Sequence, residues 1–563
     1  MCMEQNILNK INEWAKFAVE DLDLVNEYQR IKNDETKLLD AFFKDLSFGT
    51  GGLRGELGFG TNRMNIYNIR KATQGLTNYL LEEFKGKDIK VAISYDSRIK
   101  SDVFAREAAR VLGSAGIHVY IYKQLMPVPL LSYATRELKC DAGIMVTASH
   151  NPSKYNGYKV YGCDGCQITE IAAEKIINQI NKINPFEVKA KGFDELLKSK
   201  VIEHIPDDIL ESFIKVVRDN SVLGKAKVNK DVKIVYTPLN GAGLVPVTKV
   251  LKDSGFSNVT VVEEQRLPDG HFPTCPFPNP EVREAMELGI SYAKKLDADL
   301  LIATDPDCDR VGIAVKNGAD FTLMTGNQVG CLLLNYICEL RNLNNKMPPK
   351  PFAVTTIVST DMVDEIAKHY GVEMHRVLTG FKYIGEVIAR AEAKGEQNNY
   401  LLGFEESYGY LSHIKARDKD GVNAAFMIAE MFAYYKTNGI SLIEKMNELY
   451  AKFGYYLNTL DNFVFEGAAG FAKMQEIMVS FRGNIKNIGG FEIKEVLDYS
   501  KGLNGLPKSN VLKYILENGS TVVVRPSGTE PKLKMYCSIK AENESEATKI
   551  YELIASDMKK KFK

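Results

Sequence analysis

Four short islands in this chain hold residues whose types and spacing can do chemistry. Thr147-Ala148-Ser149-His150-Asn151-Pro152 follows an apolar run, Ala142 to Val146. The run predicts a short buried strand, which Asn151-Pro152 cannot continue. The Ser149 hydroxyl is thereby placed at a strand-to-loop corner, where strand ends present side chains to clefts. Asp305-Pro306-Asp307-Cys308-Asp309-Arg310 follows a second apolar run, Leu300 to Ala303. Pro306 disfavours helix, and an extended backbone predicts all three carboxylates on one face. Clustered carboxylates raise one another's pKa unless a cation is present, and hard oxygen ligands favour Mg²⁺ over zinc. In Arg525-Pro526-Ser527-Gly528-Thr529-Glu530-Pro531, hydroxyls, exposed backbone N–H groups and a guanidinium fork make a compact anion-binding set. Gly49-Thr50-Gly51-Gly52-Leu53-Arg54-Gly55 surrounds one arginine with glycines, as where a backbone packs close to something. Each island also has a plainer reading: a Ser/Asn turn, an acidic solvated loop, a hairpin turn, a surface ion pair.

Taken together and in order, the islands closely resemble the α-D-phosphohexomutase family, the phosphoglucomutases and phosphomannomutases. A fifth, Gly403-Phe404-Glu405-Glu406-Ser407-Tyr408-Gly409, looks like the family's sugar-reading loop. The resemblance runs from about Phe48 to the C-terminal helix, and five motifs in order are strong where one is weak. It implies an α/β fold: three similar α/β domains with mixed sheets flanked by helices, plus a smaller C-terminal α+β domain, around a central cleft. It implies that Asp305, Asp307 and Asp309 hold Mg²⁺, with a phosphate oxygen on Ser149 as the fourth ligand. It matches Lys159 to a catalytic lysine, and places Arg54 and Arg310 as positive charge and His150 as a candidate for proton transfer. It assigns Arg525, Ser527, Gly528 and Thr529 to the phosphate that is not reacting, with Lys532 assisting. Glu405 and Ser407 match sugar-hydroxyl contacts, Thr379 and Gly380 a loop that senses sugar orientation, and Thr50 and Lys419 weaker substrate contacts.

The elements that must position these residues repeat along the chain. Strand Ile89 to Tyr95, a loop at Asp96-Ser97-Arg98, a helix through Ala105 and Leu112, Gly116 and strand Ile117 to Tyr122 form one β-loop-α-Gly-β unit. The pattern returns from Val232 to Val262 and from Phe352 to Val377, which predicts three similar α/β domains. After Val522-Val523-Val524, apolar Leu533, Met535, Cys537 and Ile539 alternate as in a half-buried strand. Ala547, Ile550, Tyr551, Ile554 and Met558 then share one helix face. Expected domains are 1–205, 206–322, 323–454 and 455–563.

Bulk numbers agree with several domains, since 563 residues exceed one core. Lys plus Arg equal Asp plus Glu at 72 each, so no global basic field points to nucleic acid. No stretch is apolar and long enough to span a membrane. Met1 to Asp23 lacks a signal-peptide core and reads as one amphipathic helix. The 9 scattered cysteines suit free thiols in a reducing, cytoplasmic location. Cys163 and Cys166 have C-x-x-C spacing, but no second pair completes a zinc site.

The expectation is therefore a phosphoserine mutase acting on a small phosphosugar, as monomer or homodimer, with glucose 1,6-bisphosphate as activator. Glu-Glu-Ser in the sugar loop resembles glucose-handling members; pentose phosphate and mannose phosphate are the alternatives. A rival class is a haloacid-dehalogenase-type phosphatase with Asp305 as nucleophile, though Asp309 stands where that family has Thr or Val. A non-catalytic phosphosugar-binding protein is another rival, against which the intact Ser149 and three Asp argue.

Overall fold

The computed structural model describes residues 4–49, 51–465, 467–483, 485–526 and 532–562. Four sheets follow one another along the chain. The first orders its strands Gly52–Glu56, Tyr155–Gly162, Ala142–Val146, Lys90–Tyr95, His118–Ile121, Ile202–His204. The second runs Asp320–Met324, Val311–Asn317, Leu300–Thr304, Ile234–Thr237, Val259–Val261. The third runs Glu373–Val377, Phe352–Thr356, Tyr400–Glu405, Gly409–Leu411. All three mix parallel and antiparallel pairs and are flanked by helices. The repeats read from sequence are their parallel parts, joined by helices Ser101–Ser114, Leu244–Asp253 and Met362–Tyr370. Gly371 ends the last of these at φ 68°, a conformation that costs glycine little.

A deeper repeat lies in where each sheet reverses. Ala142–Val146 runs parallel to its neighbour and returns antiparallel as Tyr155–Gly162. Leu300–Thr304 does the same and returns as Val311–Asn317. Tyr400–Glu405 returns as Gly409–Leu411. The three reversal corners carry Ser149, the three Asp, and Ser407. Each corner holds one non-glycine residue in the left-handed region: Ser149 at φ 51°, Cys308 at φ 51° and Tyr408 at φ 66°. Such backbones are strained and persist only where their surroundings fix them.

A single large core unites the first three units: Leu130 and Tyr133 from the first, Tyr236 and Ile302 from the second, Phe404 and Tyr410 from the third. The fourth unit has its own core, with Leu512, Val522, Leu533 and Ile554 among its residues. Its sheet is antiparallel, in the order Tyr455–Val464, Lys532–Ala541, Thr521–Pro526, Leu512–Leu516, Phe491–Asp498, Asn487–Ile488, and helix Glu544–Lys561 packs on it. It meets the third unit through an apolar patch that includes Tyr499, Val523 and Tyr536 against Phe352 and Ile384. Asp361 anchors the same junction: its carboxylate accepts from Lys513 Nζ at 2.9 Å and Thr521 Oγ1 at 2.6 Å, and its N–H donates to Ser538 Oγ at 3.2 Å.

Three local expectations change. Met1 to Asp23 is not one helix: Gln5–Phe17 ends and Leu22–Ile31 begins anew, because the Asp21 side chain caps Asp23 N–H. Leu533, Met535, Cys537 and Ile539 face the core as expected, but Tyr536 and Ser538 on the other face are buried too, because the third unit covers them. The Asp loop is not extended: Cys308 N–H bonds the Asp305 carbonyl at 2.9 Å, closing a turn with Cys308 left-handed.

Candidate active site

Ser149 is pinned through both of its peptide groups. Its N–H donates to Thr147 Oγ1 at 2.8 Å, and Thr147 Oγ1 donates to Asp96 Oδ2 at 2.6 Å. Its carbonyl accepts from Arg98 Nε at 3.1 Å. The hydroxyl is left to point at the second corner, donating to Asp305 Oδ2 at 2.8 Å, with His150 Nδ1 at 3.1 Å. Burial, together with Arg310 and Arg54, pushes His150 down to about 2, so its imidazole is neutral.

The turn, rather than strand alternation, brings the carboxylates of Asp305, Asp307 and Asp309 together. Their nearest oxygens lie within 4.8 Å of one another, and all three residues are buried. Burial and the repulsion of Asp307 and Asp309 push the Asp305 carboxyl well above its ordinary range. Burial opposes charge on Asp307 as well, but Lys159 holds it below that range. Asp307 Oδ1 and Asp309 Oδ1 are buried with no hydrogen-bond donor. Orphaned carboxylate oxygens are costly, and a hard cation fits this oxygen-only set. Backbone bonds from three directions hold the loop: Ala242 N–H to the Pro306 carbonyl, Val128 N–H to Asp307, and Gly421 N–H to Cys308, at 2.8, 3.0 and 3.0 Å.

Cations ring this centre. Lys159 Nζ lies 3.0 Å from Asp307 Oδ2 and 3.7 Å from Asp309 Oδ2. Burial would lower the Lys159 pKa, but the two Asp raise it, so the ammonium stays protonated. Arg54 stands on strand Gly52–Glu56, paired with Tyr155–Gly162. The glycines beside it are there for close approach: a Cβ on Gly52 would lie 1.8 Å from the Tyr158 carbonyl oxygen. The Arg54 side chain keeps solvent exposure, but the protein around it lowers its pKa, with Asp307 and Asp309 pulling the other way. Arg310 is less free than its sequence position suggests, since its guanidinium is ion-paired to Glu281. Lys419 sits deeper than a peripheral substrate contact, 3.1 Å from Asp309 Oδ2 and 3.1 Å from Asp418 Oδ1.

A cavity of about 410 Å³ opens beside these groups, and all four units line it. His150 comes from the first, Glu281 and Arg310 from the second, Thr379 and Ser407 from the third, Arg525 and Lys534 from the fourth. Glu405 lies below it, accepting the Gly380 N–H at 2.8 Å. Lys532 opens the strand that carries Lys534. Thr50, Ser527, Gly528 and Thr529 lie outside the described residues.

Sequence reading missed Glu281, Asp418 and Lys534. Lys534 had a signal: it alternates with core residues Leu533 and Met535, so it must face away from the core. Burial, with Arg525 and Lys532 nearby, lowers its pKa. Cys163 is exposed and Cys166 buried, its thiol 3.6 Å from the Arg417 carbonyl, and both are free.

Burial and Glu406 push Glu405 up to about 7, against the pull of Lys419. A carboxyl raised on folding stabilises less as pH climbs through its folded value. Glu405→Gln is therefore expected to raise Tm relative to the parent at about pH 8 and to leave it nearly unchanged at about pH 4. An identical Tm difference at both pH values would show that folding leaves the Glu405 pKa unshifted.

Four family models match the chain in order. They are phosphoglucomutase/phosphomannomutase alpha/beta/alpha domain I at residues 45–186, domain II at 211–318, domain III at 325–453 and the C-terminal domain at 474–555. A phosphoglucomutase of Staphylococcus saprophyticus is 36% identical over 544 residues, covering 94% of this chain and 96% of that protein. A Staphylococcus aureus phosphoglucomutase is 35% identical over 534 residues, covering 92% and 94%. Among solved structures, a putative phosphomannomutase from Thermus thermophilus superposes with a TM-score of 0.68 at 21% identity, over 92% of this chain and 99% of that one. The open form of Paramecium parafusin, a phosphoglucomutase, gives 0.68 at 17% identity, over 92% and 94%.

Proposed function

The chain belongs to the phosphoglucomutase/phosphomannomutase family, and we propose that it interconverts glucose 1-phosphate and glucose 6-phosphate through a phosphorylated Ser149. It is an intramolecular phosphotransferase, an isomerase, with glucose 1,6-bisphosphate as intermediate and activator. One observation carries this reading: the Ser149 hydroxyl, fixed at both peptide groups, donates into a buried cluster of three carboxylates at 2.8 Å.

Asp305, Asp307, Asp309 and an oxygen on Ser149 would hold Mg²⁺, which supplies charge neutralisation for a phosphoryl group. The chain's own residues do the rest. Ser149 carries the phosphoryl group at the cleft floor. Arg54 and Arg310 offset charge on its equatorial oxygens. Lys159, protonated and 3.0 Å from Asp307, is placed to give a proton to the sugar oxygen that gives up its phosphate. Neutral His150 keeps a proton acceptor beside Ser149 Oγ. Glu405 and Ser407 accept and donate to sugar hydroxyls, with Thr379 and Gly380 setting the approach and Lys419 joining Glu405 to the floor. Arg525 and Lys534, with Lys532, Ser527, Gly528 and Thr529, hold the distal phosphate. The fourth unit, with its separate core, closes over the sugar and excludes water. The division into units near residues 205, 323 and 455 belongs to the same reading.

Intact-mass and phosphopeptide measurements on purified protein, followed by a screen of hexose, pentose and mannose phosphates with a bisphosphate activator, test the proposal. Phosphate on Ser149 and fastest turnover of glucose 1-phosphate are expected; no Ser149 phosphate with or without bisphosphate would overturn it. Arg525→Ala tests the distal site. Losing a charge-assisted contact worth about 1.5–3 kcal/mol should raise KM roughly 10- to 100-fold and leave Tm and metal affinity unchanged. An unchanged KM would reduce that corner to a hairpin turn.

A further inference from the structure

Asp96-Ser97-Arg98 ends the first strand of the first repeat, and the reaction described above gives it no role. The structure gives Arg98 an unusual set of partners. Its side chain is fully buried and donates five hydrogen bonds: Nε and Nη2 to the Ser149 carbonyl, Nη2 to Asn151, and Nη1 to Pro152 at 3.0 Å and Tyr155 at 3.1 Å. A guanidinium has five N–H donors in a planar fork, so each is used, and every acceptor is a backbone carbonyl of the loop at 149–155. The charge is balanced at one remove, by Asp96 at 3.5 Å. Asp96 in turn accepts from Arg98 N–H at 3.0 Å, Ser101 Oγ at 2.8 Å and Thr147 Oγ1 at 2.6 Å. One carboxylate thus orders the group that holds the Ser149 carbonyl and the group that holds the Ser149 N–H.

The clamp also spans a domain boundary. The Phe272 ring, from the second unit, packs on the guanidinium at 5.1 Å. Gly270 lets its loop come that close: a Cβ there would lie 2.4 Å from Ile99 N. The unit that carries the three Asp therefore backs the arginine that sets Ser149.

We infer that Arg98 is a positioning residue for the phosphoryl-transfer step: through Asp96 and Thr147 on one side and the loop carbonyls on the other, it holds Ser149 left-handed with Oγ aimed at the Asp cluster. It touches neither substrate nor phosphate. The inference rests on Ser149 being the phosphoryl carrier. Lysine offers three donors from a point charge and cannot reproduce the fork.

The test is Arg98→Lys, assayed for Tm, for kcat and KM separately, and for the half-life of the Ser149 phosphate in water. Misplacement of the carrier by about 1 Å predicts a kcat roughly 100-fold lower with KM within about threefold, and faster loss of phosphate to water. Free guanidinium should restore part of the kcat of Arg98→Ala. Should both arginine variants fail to fold, Thr147→Val reads the other end of the pin. It should lower kcat with KM preserved, and Thr147→Ser should recover it. A folded Arg98→Lys with parental kcat and phosphate half-life, or, if neither arginine variant folds, a Thr147→Val with parental kcat, overturns the inference. Activity surviving in Ser149→Ala would instead overturn the reading on which it rests.

Discussion

Ser149→Ala is expected to remove mutase activity almost completely, by at least about a thousandfold, while the protein stays folded. The size of the effect follows from the role: without the hydroxyl there is nothing to carry the phosphoryl group between positions, and the neighbouring groups cannot substitute for a nucleophile. Retained folding follows from the place. Ser149 lies in a loop held by its peptide groups, and those bonds survive removal of the side-chain oxygen. Asp305 loses a donor, a cost that metal binding can offset. The check is turnover with bisphosphate present, beside Tm and phosphopeptide mass. Full phosphate release by the variant, without mutase activity, would instead favour Asp305 as the nucleophile.

Asp307→Asn is expected to have the second-largest effect. The amide keeps the shape but brings no negative charge to a hard cation. It also leaves Lys159 and Lys419 facing a cluster with one charge fewer, which repels any cation that enters. Activity should fall roughly a hundredfold or more at limiting Mg²⁺ and recover in part at high Mg²⁺, and chelation should silence the parent reversibly. Parental activity after exhaustive chelation would show that the three Asp serve Lys159 and Lys419 as structural partners only.

Much of this centre was legible in the chain. The strand Ala142 to Val146 and the corner after it came directly from an apolar run stopped by Asn-Pro. The three repeats were readable because a parallel βαβ unit imposes apolar strand, helix and glycine at fixed offsets. The three Asp were readable as a cluster that could hold a cation, but their geometry was not: alternation along a strand is a local rule, whereas the turn at Cys308 is set by backbone bonds from Val128, Ala242 and Gly421, far away in sequence. Glu281 and Asp418 were missed for the same reason. Each gains its meaning from a partner that its neighbours in sequence do not announce: Arg310 for Glu281, and for Asp418 the Tyr161 hydroxyl, which donates to it at 2.8 Å from the first unit. The contact of Lys419 with Asp309, at 3.1 Å, was not legible because nothing among its sequence neighbours announces Asp309. Arg98 was visible as a loop residue, yet its five acceptors are carbonyls, which every residue carries and no motif can mark.

The sheet reversal that bears Ser149, the three Asp and Ser407 is one corner built three times. Such copies allow division of labour. On the proposed mechanism the first holds the nucleophile, the second the acidic cluster and the third the contacts to the sugar, and none must compromise for the others. On the same reading, changes confined to the third corner would retune the substrate and leave the Ser149 and Asp corners as they are. On the proposed reading, the residues that would tell a hexose from a pentose belong to the third corner, apart from Ser149 and the three Asp.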